Sequence, residues 1–558
     1  MSASWTRKAT DGAARVARIA AFGIRSGLAS PSAVPLDRTT VGTLLQAGVG
    51  VRTVHTLFAA RAPDRLCLVD ERRAWTWKET DLHINRVAHA LRERWGVERG
   101  APVVLCMENC AEYIVAWFAA LRVGARCVHL SFDATRDEAG WALDNSRARV
   151  VFADARGSRG VLPEALARSV PAVAVGAAPI DGCEVPFDDL LASPRVGFPD
   201  LGSAEVRADS VVYTSGTTGR PKGAVRDFAA LGVEELVRIG SRLPLHEGER
   251  HLVVSRLYHS GAQAFVMLLS GLGATFYIQR TFDAPAVLQA LSDHQIHSTF
   301  LVPTMIRRLL ALDEDTWARA NLASFRALVS GAAPFPHSLR MQALRRLGPA
   351  RVFDFYGATE LGWVTLLDGF EMMERPRSVG RALHGHTLRI VDAAGTTLPT
   401  GAVGLIQVRS STGMSGYLDN RAATDEAMRD GWFTVEDTGR LDAHGYLWIE
   451  GRARDMILSG GVNVYPAEVE EALLVHPDVV EVAVIGLPDE EWGERVAAVV
   501  VTRSGSTLDA DALRAWARER VASYKLPRAV YFVDELPRNP TGKVLKNQLR
   551  ATFTGPST

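Results

Sequence analysis

Between Val51 and Gly451 short apolar runs alternate with stretches of helix length, and this alternation narrows the fold more than any other feature of the chain. The predicted strands are Val103–Met107, Val150–Ala153, Ala172–Val175, Val211–Tyr213, Leu252–Ser255, Thr275–Ile278, Thr299–Val302, Ala327–Ser330 and Phe353–Tyr356. Several are apolar at every position, as strands covered on both faces are. Helical segments fall between them, among them Glu112–Val123, Ala284–His294 and Pro336–Leu347. The expectation is an α/β fold with mostly parallel sheets. Such sheets bind ligands in the crevice beyond the carboxyl ends of their strands, so the residues after each strand are where chemistry is to be sought.

At 558 residues the chain is too long for one core. After Gly401 the texture changes to short strands and turns, Gly404–Arg409, Tyr417 and Gly431-Trp432-Phe433, which predict a β-rich subdomain closing the large domain. Gly451-Arg452-Ala453-Arg454-Asp455 is polar and glycine-led, and an independent α+β pattern follows it. That pattern comprises a helix over 466–475, strands over 480–485 and 497–501, a helix over 509–521 and a strand over 529–533. The expected division is an N-terminal extension over 1–50, a large domain over 51–451 and a small α+β domain over 452–558.

With 63 basic and 63 acidic residues, global charge gives no reason to expect a nucleic-acid partner. Cys67, Cys106, Cys110, Cys127 and Cys183 show no Cys-x-x-Cys spacing, so neither a zinc site nor a disulfide framework is indicated. Reduced thiols point to the cytoplasm. No apolar run approaches the roughly 20 residues that span a bilayer. The leader from Trp5 to Gly27 interleaves five basic residues with Val16, Ile19, Phe22 and Ile24. It reads as a solvated helix docked on the body, or else as an amphipathic helix on an anionic membrane or a transit-like leader, so membrane association stays open. Oligomeric state is not legible.

The stretch richest in chemistry is Tyr213-Thr214-Ser215-Gly216-Thr217-Thr218-Gly219-Arg220-Pro221-Lys222-Gly223, directly after a predicted strand. Glycines leave backbone N–H groups free to approach an anion, small hydroxyls add donors, and Lys222 adds a point charge. The combination is a cradle for polyphosphate. It is not the common P-loop, in which Gly-Lys-Ser/Thr opens a helix; here Pro221 and Gly223 argue against an immediate helix.

This string closely resembles the signature loop of the adenylate-forming superfamily, which contains acyl-CoA synthetases, adenylation domains and luciferases. The resemblance spans roughly Thr53 to Arg550 and implies that Thr214, Ser215, Gly216, Thr217, Thr218, Gly219 and Lys222 hold the β- and γ-phosphates of ATP. Four further segments agree in order and spacing. Ser330-Gly331-Ala332-Ala333-Pro334 is similar to the adenine-contacting turn, with Gly331, Ala332 and Ala333 small enough for a flat ring to lie against backbone. Phe355-Tyr356-Gly357-Ala358-Thr359-Glu360 is similar to the segment whose tyrosine stacks on adenine, whose threonine meets the α-phosphate and whose glutamate binds Mg²⁺. That implies roles for Tyr356, Gly357, Thr359 and Glu360. Asp437, in Glu436-Asp437-Thr438-Gly439-Arg440, would hold the ribose hydroxyls with support from Arg452. Lys543, in Pro540-Thr541-Gly542-Lys543, matches the catalytic lysine that touches the attacking carboxylate and the α-phosphate.

The resemblance implies a two-step reaction. A carboxylate displaces pyrophosphate from ATP to give acyl-AMP, and the thiol of coenzyme A then displaces AMP. By the same resemblance Arg454 matches the hinge about which the small domain would turn between steps, where relatives usually carry Lys or Asp. Ser459-Gly460-Gly461-Val462-Asn463 would then line the pantetheine tunnel, with Gly460 and Gly461 allowing close approach.

The segment flanking the acid is Arg256-Leu257-Tyr258-His259-Ser260-Gly261, which has no acidic residue to pair with an ammonium, so amino-acid substrates are disfavoured. His259 resembles the gating residue of acyl- and aryl-CoA synthetases. Gly261, Ala262, Gly331 and Gly357 are expected to leave an open slot, and Trp363 either floors it or packs in the core. The expected activity is an ATP- and Mg²⁺-dependent acyl-CoA synthetase acting on a medium- or long-chain fatty acid. An aromatic or polycyclic acid also fits, as does an acyl-AMP ligase serving a carrier protein. Since no carrier domain follows and the insertion typical of such ligases is absent between Asp437 and Pro466, free coenzyme A is the expected acceptor. Outside the class, a silent nucleotide-binding protein would have lost Lys222, Glu360 or Lys543. A hydrolase built on His129 and Asp133 lacks any Gly-x-Ser-x-Gly elbow.

Overall fold

The computed structural model describes residues 40, 41, 43, 50–200, 209–214, 221–227, 237, 239–410, 412–538 and 544–554. The leader read from Trp5 to Gly27 lies outside the described residues, as do Ser215, Gly216, Thr217, Thr218, Gly219 and Lys543.

Among the described residues a 15-stranded sheet forms the body. One half is parallel, in the spatial order Leu66–Val69, Thr275–Ile278, Arg250–Val253, Ser298–Leu301, Ala327–Ser330 and Val352–Ala358. Ser298–Leu301 and Ala327–Ser330 are buried at every position, which is why their sequences do not alternate. The other half is antiparallel and runs through Gly362–Asp368, Ser378–Ala382, Tyr446–Arg452, Asp437–Leu441 and Gly404–Ser410.

A second sheet of eight strands is mostly parallel through Arg126–His129, Pro102–Cys106, Val150–Asp154 and Ala172–Val175. Its other edge is Asp209–Thr214, Lys222–Asp227 and the two-residue strand Gly416–Tyr417. The helix Ala111–Arg122 is buried at all its residues. One core takes Leu105 from the second sheet, Trp117 and Phe118 from this helix, and Phe276 and Val329 from the first sheet. A helix buried on every side has to be apolar on every side, as this one nearly is. Its two charged ends are paired, Glu112 with Arg72 at 2.8 Å and Arg122 with Asp81 at 2.8 Å.

The small domain is a third sheet. A long hairpin, Val479–Asp489 with Gly493–Thr502, carries Ala529–Phe532 in parallel and the hairpin Ile457–Ser459/Val462–Val464 in antiparallel pairing. Helices Pro466–Leu474 and Ala510–Arg518 cover one face, and Lys546–Phe553 packs Leu549 on the other. Large α/β domain and smaller α+β domain are thus as expected. No described helix is long and apolar enough to cross a membrane, and all five cysteines are free thiols, four of them buried.

Candidate active site

Asp209–Thr214 and Lys222–Asp227 form an antiparallel hairpin in which Thr214 and Lys222 are opposite partners. The chain therefore returns as a strand after the glycine-threonine stretch, as Pro221 and Gly223 foretell. Thr214 donates from Oγ1 to the Lys222 carbonyl at 3.3 Å. The Lys222 ammonium sits 5.5 Å from the centre of the Tyr417 ring. A cation over a ring is worth about 0.5–1 kcal/mol at a partly exposed site, less than a charge-assisted hydrogen bond, so an arriving phosphate can recruit this lysine.

The same tyrosine ties in the carboxylate. Val352–Ala358 and Gly362–Asp368 make a hairpin whose turn presents Thr359 and Glu360. Tyr417 donates its hydroxyl to Glu360 Oε1 at 2.8 Å. Burial, and then the charge of Glu360, push the pKa of this phenol far above its ordinary value, so it remains a donor. Thr359 and Ser260 share a hydroxyl–hydroxyl bond of 3.1 Å, and Arg226 donates to the Thr359 carbonyl at 3.1 Å. Gly357 has no room for a side chain: a Cβ there would meet the Gly362 carbonyl oxygen at 2.1 Å.

Tyr356, earlier on the same strand, donates to Asp437 Oδ2 at 2.8 Å, and Arg452 lies 3.3 Å from Asp437 Oδ1. Asp437 and Arg452 are cross-strand partners, which is how residues fifteen apart in sequence meet. Burial, then the Asp437 charge, push the Tyr356 hydroxyl well above the usual range.

These residues open on one continuous cavity of about 1060 Å³. Thr214, Lys222, Thr359 and Glu360 line it, as do Tyr356, Gly357, Asp437 and Arg452. Ala332, at φ 66°, Ala333 and His259 line it as well. Gly331 lies behind that wall, where a Cβ would meet the Phe355 ring at 2.5 Å. His259 stands at the N-cap position of the helix Ser260–Ser270, its ring tilted against that of Tyr258 at 4.1 Å, and the Tyr258 hydroxyl accepts from Arg256 at 3.0 Å.

The expected slot forms differently. The space beside Gly261 is taken by the Phe300 ring at 3.0 Å, that beside Gly331 by Phe355, and that beside Gly357 by backbone. Gly261 and Gly331 thus admit aromatic walls and Gly357 a close backbone crossing, and Gly261 and Gly357 still line the cavity. Trp363 does both things proposed for it. It is 4 % exposed, stacks on Phe355 at 4.3 Å and lines the cavity.

Gly460 and Gly461 are not with the others. They form the turn of the hairpin Ile457–Ser459/Val462–Val464, at φ 58° and 76°, away from the cavity lining. Arg538, Val544, Leu545 and Lys546 do line the cavity, on either side of the stretch that holds Lys543. Arg454 lines it too. His129 is 1 % exposed, bonded to Tyr113 at 2.7 Å and Ser210 at 3.3 Å, and burial holds its pKa down to about 3. It is a packed neutral imidazole remote from the cavity lining.

Two features were absent from the sequence reading. Arg340 and Asp354 form a buried ion pair at 2.6 Å on the cavity wall, and Arg340 also donates to the Ser378 carbonyl at 2.7 Å. Burial pushes Asp354 up to about 6 against the pull of Arg340. The signal was an acid inside the apolar string Val352-Phe353-Asp354-Phe355. The other feature is Arg377, which pairs with Glu450 of the large domain at 3.7 Å and with Glu471 of the small domain. Arg307 adds a bond to the Val480 carbonyl at 3.1 Å. We expect Arg377→Ala to slow acid-driven ATP–pyrophosphate exchange about tenfold, roughly 1.4 kcal/mol of barrier, without slowing thioester formation from supplied acyl adenylate. Equal losses in both assays would show that Arg377 serves only general stability.

Comparison with known proteins adds independent observations. A family model described as AMP-binding enzyme matches residues 56–418, and one described as AMP-binding enzyme C-terminal domain matches residues 468–543. The chain is 37% identical over 482 residues to a feruloyl-CoA synthase of Amycolatopsis sp, covering 86% of this chain and 94% of that protein. It is 31% identical over 484 residues to the long-chain-fatty-acid–CoA ligase FadD13 of Mycobacterium tuberculosis, covering 86% and 93%. Among solved structures it is similar to o-succinylbenzoate CoA synthetase (MenE) from Bacillus subtilis in complex with its acyl-adenylate intermediate. That similarity has a TM-score of 0.77 and 28% identity, over 89% of this chain and 98% of that one.

Proposed function

The chain belongs to the AMP-binding enzyme family, and from that premise we propose that it is an AMP-forming acid–thiol ligase that joins an aromatic carboxylic acid to coenzyme A. The observation that carries this is one cavity with two characters. On its lining Lys222 and Glu360 meet over Tyr417 while Asp437 is bonded to Tyr356, and Phe300, Phe355 and Trp363 form a contiguous run of rings.

In the first step a carboxylate oxygen bonds to the α-phosphorus of ATP, the α–β phosphoanhydride bond breaks and pyrophosphate leaves. No protein nucleophile takes part; positioning and neutralisation of charge lower the barrier. The glycine-threonine loop and Lys222 hold the outgoing phosphates, Asp437 with Arg452 holds the ribose, and Thr359 meets the α-phosphate. Tyr356 and the Gly331-Ala332-Ala333 turn take the adenine. Glu360 fits Mg²⁺, which keeps several waters and is held by one or two carboxylates together with substrate phosphates. Among the described residues no group of three or more His, Cys, Asp or Glu gathers as a zinc site would require. When bound, Mg²⁺ offsets negative charge on the phosphates. Lys543 brings a second cation to the α-phosphate and the attacking carboxylate.

In the second step the thiolate sulfur of coenzyme A bonds to the acyl carbon, the mixed-anhydride C–O bond breaks, AMP leaves, and the thiol proton passes to solvent. The present arrangement serves the first step, since the neighbours of Lys543 line the cavity and Gly460 and Gly461 do not. Turning the part of the chain that follows Arg454 about that residue exchanges the two, while Arg452 stays in the large sheet beside Asp437.

An aromatic acid is favoured over the fatty acid expected from sequence. The feruloyl and o-succinylbenzoate relatives support it, and rings pack well against three aromatic walls. The straight-chain fatty acid is the second reading, supported by the FadD13 relative. The test is ATP–pyrophosphate exchange across aromatic and straight-chain acids, followed by AMP release with coenzyme A. We expect exchange without coenzyme A and AMP release with it. Absence of exchange for every acid would end the proposal.

A further inference from the structure

The helix Ser260–Ser270 begins at His259, beside the reacting end of the acid, and runs away from it. After Gln263 its sequence is Ala-Phe-Val-Met-Leu-Leu, the composition of a helix with no face to water. Yet Gly261, Ala264 and Met267, with Gly271 just past its end, keep partial accessibility while nearly all the residues between them are buried. All four line the cavity. Their spacing of three, three and four puts them on one face. The accessibility of that face is therefore internal, and the cavity follows it for about 15 Å, ten residues at 1.5 Å each.

The far end is also apolar. The helix Val54–Arg61 contributes Val54, Leu57 and Phe58 to the same cavity, with the Phe58 ring against Gly273, just past the end of the helix Ser260–Ser270. From Ala264 outward these two helices present no charged or hydrogen-bonding side chain to the cavity among the described residues. Neither a polyphosphate nor the amides of a pantetheine arm would find partners there. Water is a poor occupant of such a space, and leaving it empty forfeits contacts along its whole wall. A single-ring acid would reach the aromatic walls and stop.

Resting on the ligase reading above, we infer that the acid carries a long apolar body beyond its carboxylate end, which runs along the face Gly261–Ala264–Met267–Gly271 to the helix Val54–Arg61, and that Ala264 and Met267 set how deep it goes. The test is a series of para-alkyl benzoates of increasing chain length. Affinity is read by calorimetry, which needs no turnover, and kcat/KM by acid-dependent AMP release. Each added methylene should improve both by about fourfold until the arm is full. Ala264→Trp should abolish that slope, cutting the ratio of longest to unsubstituted acid at least a hundredfold. Met267→Phe, a change of similar volume that the site accommodates more easily, should shorten the best chain. A flat or falling series in the unaltered enzyme, or variants that lower every acid by one common factor, would overturn the inference. Acids that bind with the expected slope but never release pyrophosphate would leave the depth standing and remove the ligase reading instead.

Discussion

Lys543→Ala will lower acid-driven ATP–pyrophosphate exchange by about a hundredfold to a thousandfold, the loss typical of removing one preorganised charge from a developing anion. Thioester formation from supplied acyl adenylate should stay within a few-fold of the unaltered enzyme, because that step forms no bond at phosphorus. Both assays are run on one preparation, so a folding defect cannot mimic the result. If the two activities fall together, Lys543 acts in both steps, and the division of labour between the faces of the small domain is wrong. Lys543→Arg separates charge from fit: a guanidinium keeps the charge but presents it as a planar fork, so it should restore only part of the exchange.

The opposite pattern is expected of Gly461→Leu. Gly461 is a turn residue at φ 76°, and Leu458 and Val462 on either side of the turn are exposed apolar residues. A leucine there carries about 1–2 kcal/mol of backbone strain and occupies the place the pantetheine arm would need. Exchange should persist, showing that the large domain and the first alignment are sound. Release of AMP dependent on coenzyme A should fall about a hundredfold. Undiminished thioester formation would remove Gly461 from the tunnel.

The parallel strands were legible because burial on both faces removes alternation and leaves short apolar runs. Ala172–Val175, Thr275–Ile278 and Ala327–Ser330 lie where such runs stand. The long helix Trp77–Trp95 was less so. Its start carries a full capping box between Thr76 and Glu79, but Thr80 and Asn85 stand among its buried residues and interrupt the apolar stripe. Site residues that follow one another in a string, such as Tyr356 to Glu360, were legible as a group.

What stayed hidden are relations between strings. Tyr417 is 57 residues from Glu360, and nothing in either neighbourhood announces their bond. Arg377 and Glu471 are ordinary surface charges until two domains meet. The glycines misled for a related reason: a glycine declares that a side chain is missing, not what fills the space. Beside Gly261 and Gly331 it is an aromatic ring from another strand.

The two-residue strand Gly416–Tyr417 follows in the chain from Gly404–Ser410 of the large sheet but pairs with Lys222–Asp227 of the other. It is a stitch between two sheets that already share one core, and the carboxylate and the lysine meet over its tyrosine. Two residue pairs add little to the cohesion of that core; what they fix is the place of one ring. Loosening them would cost turnover while helical signal stayed whole.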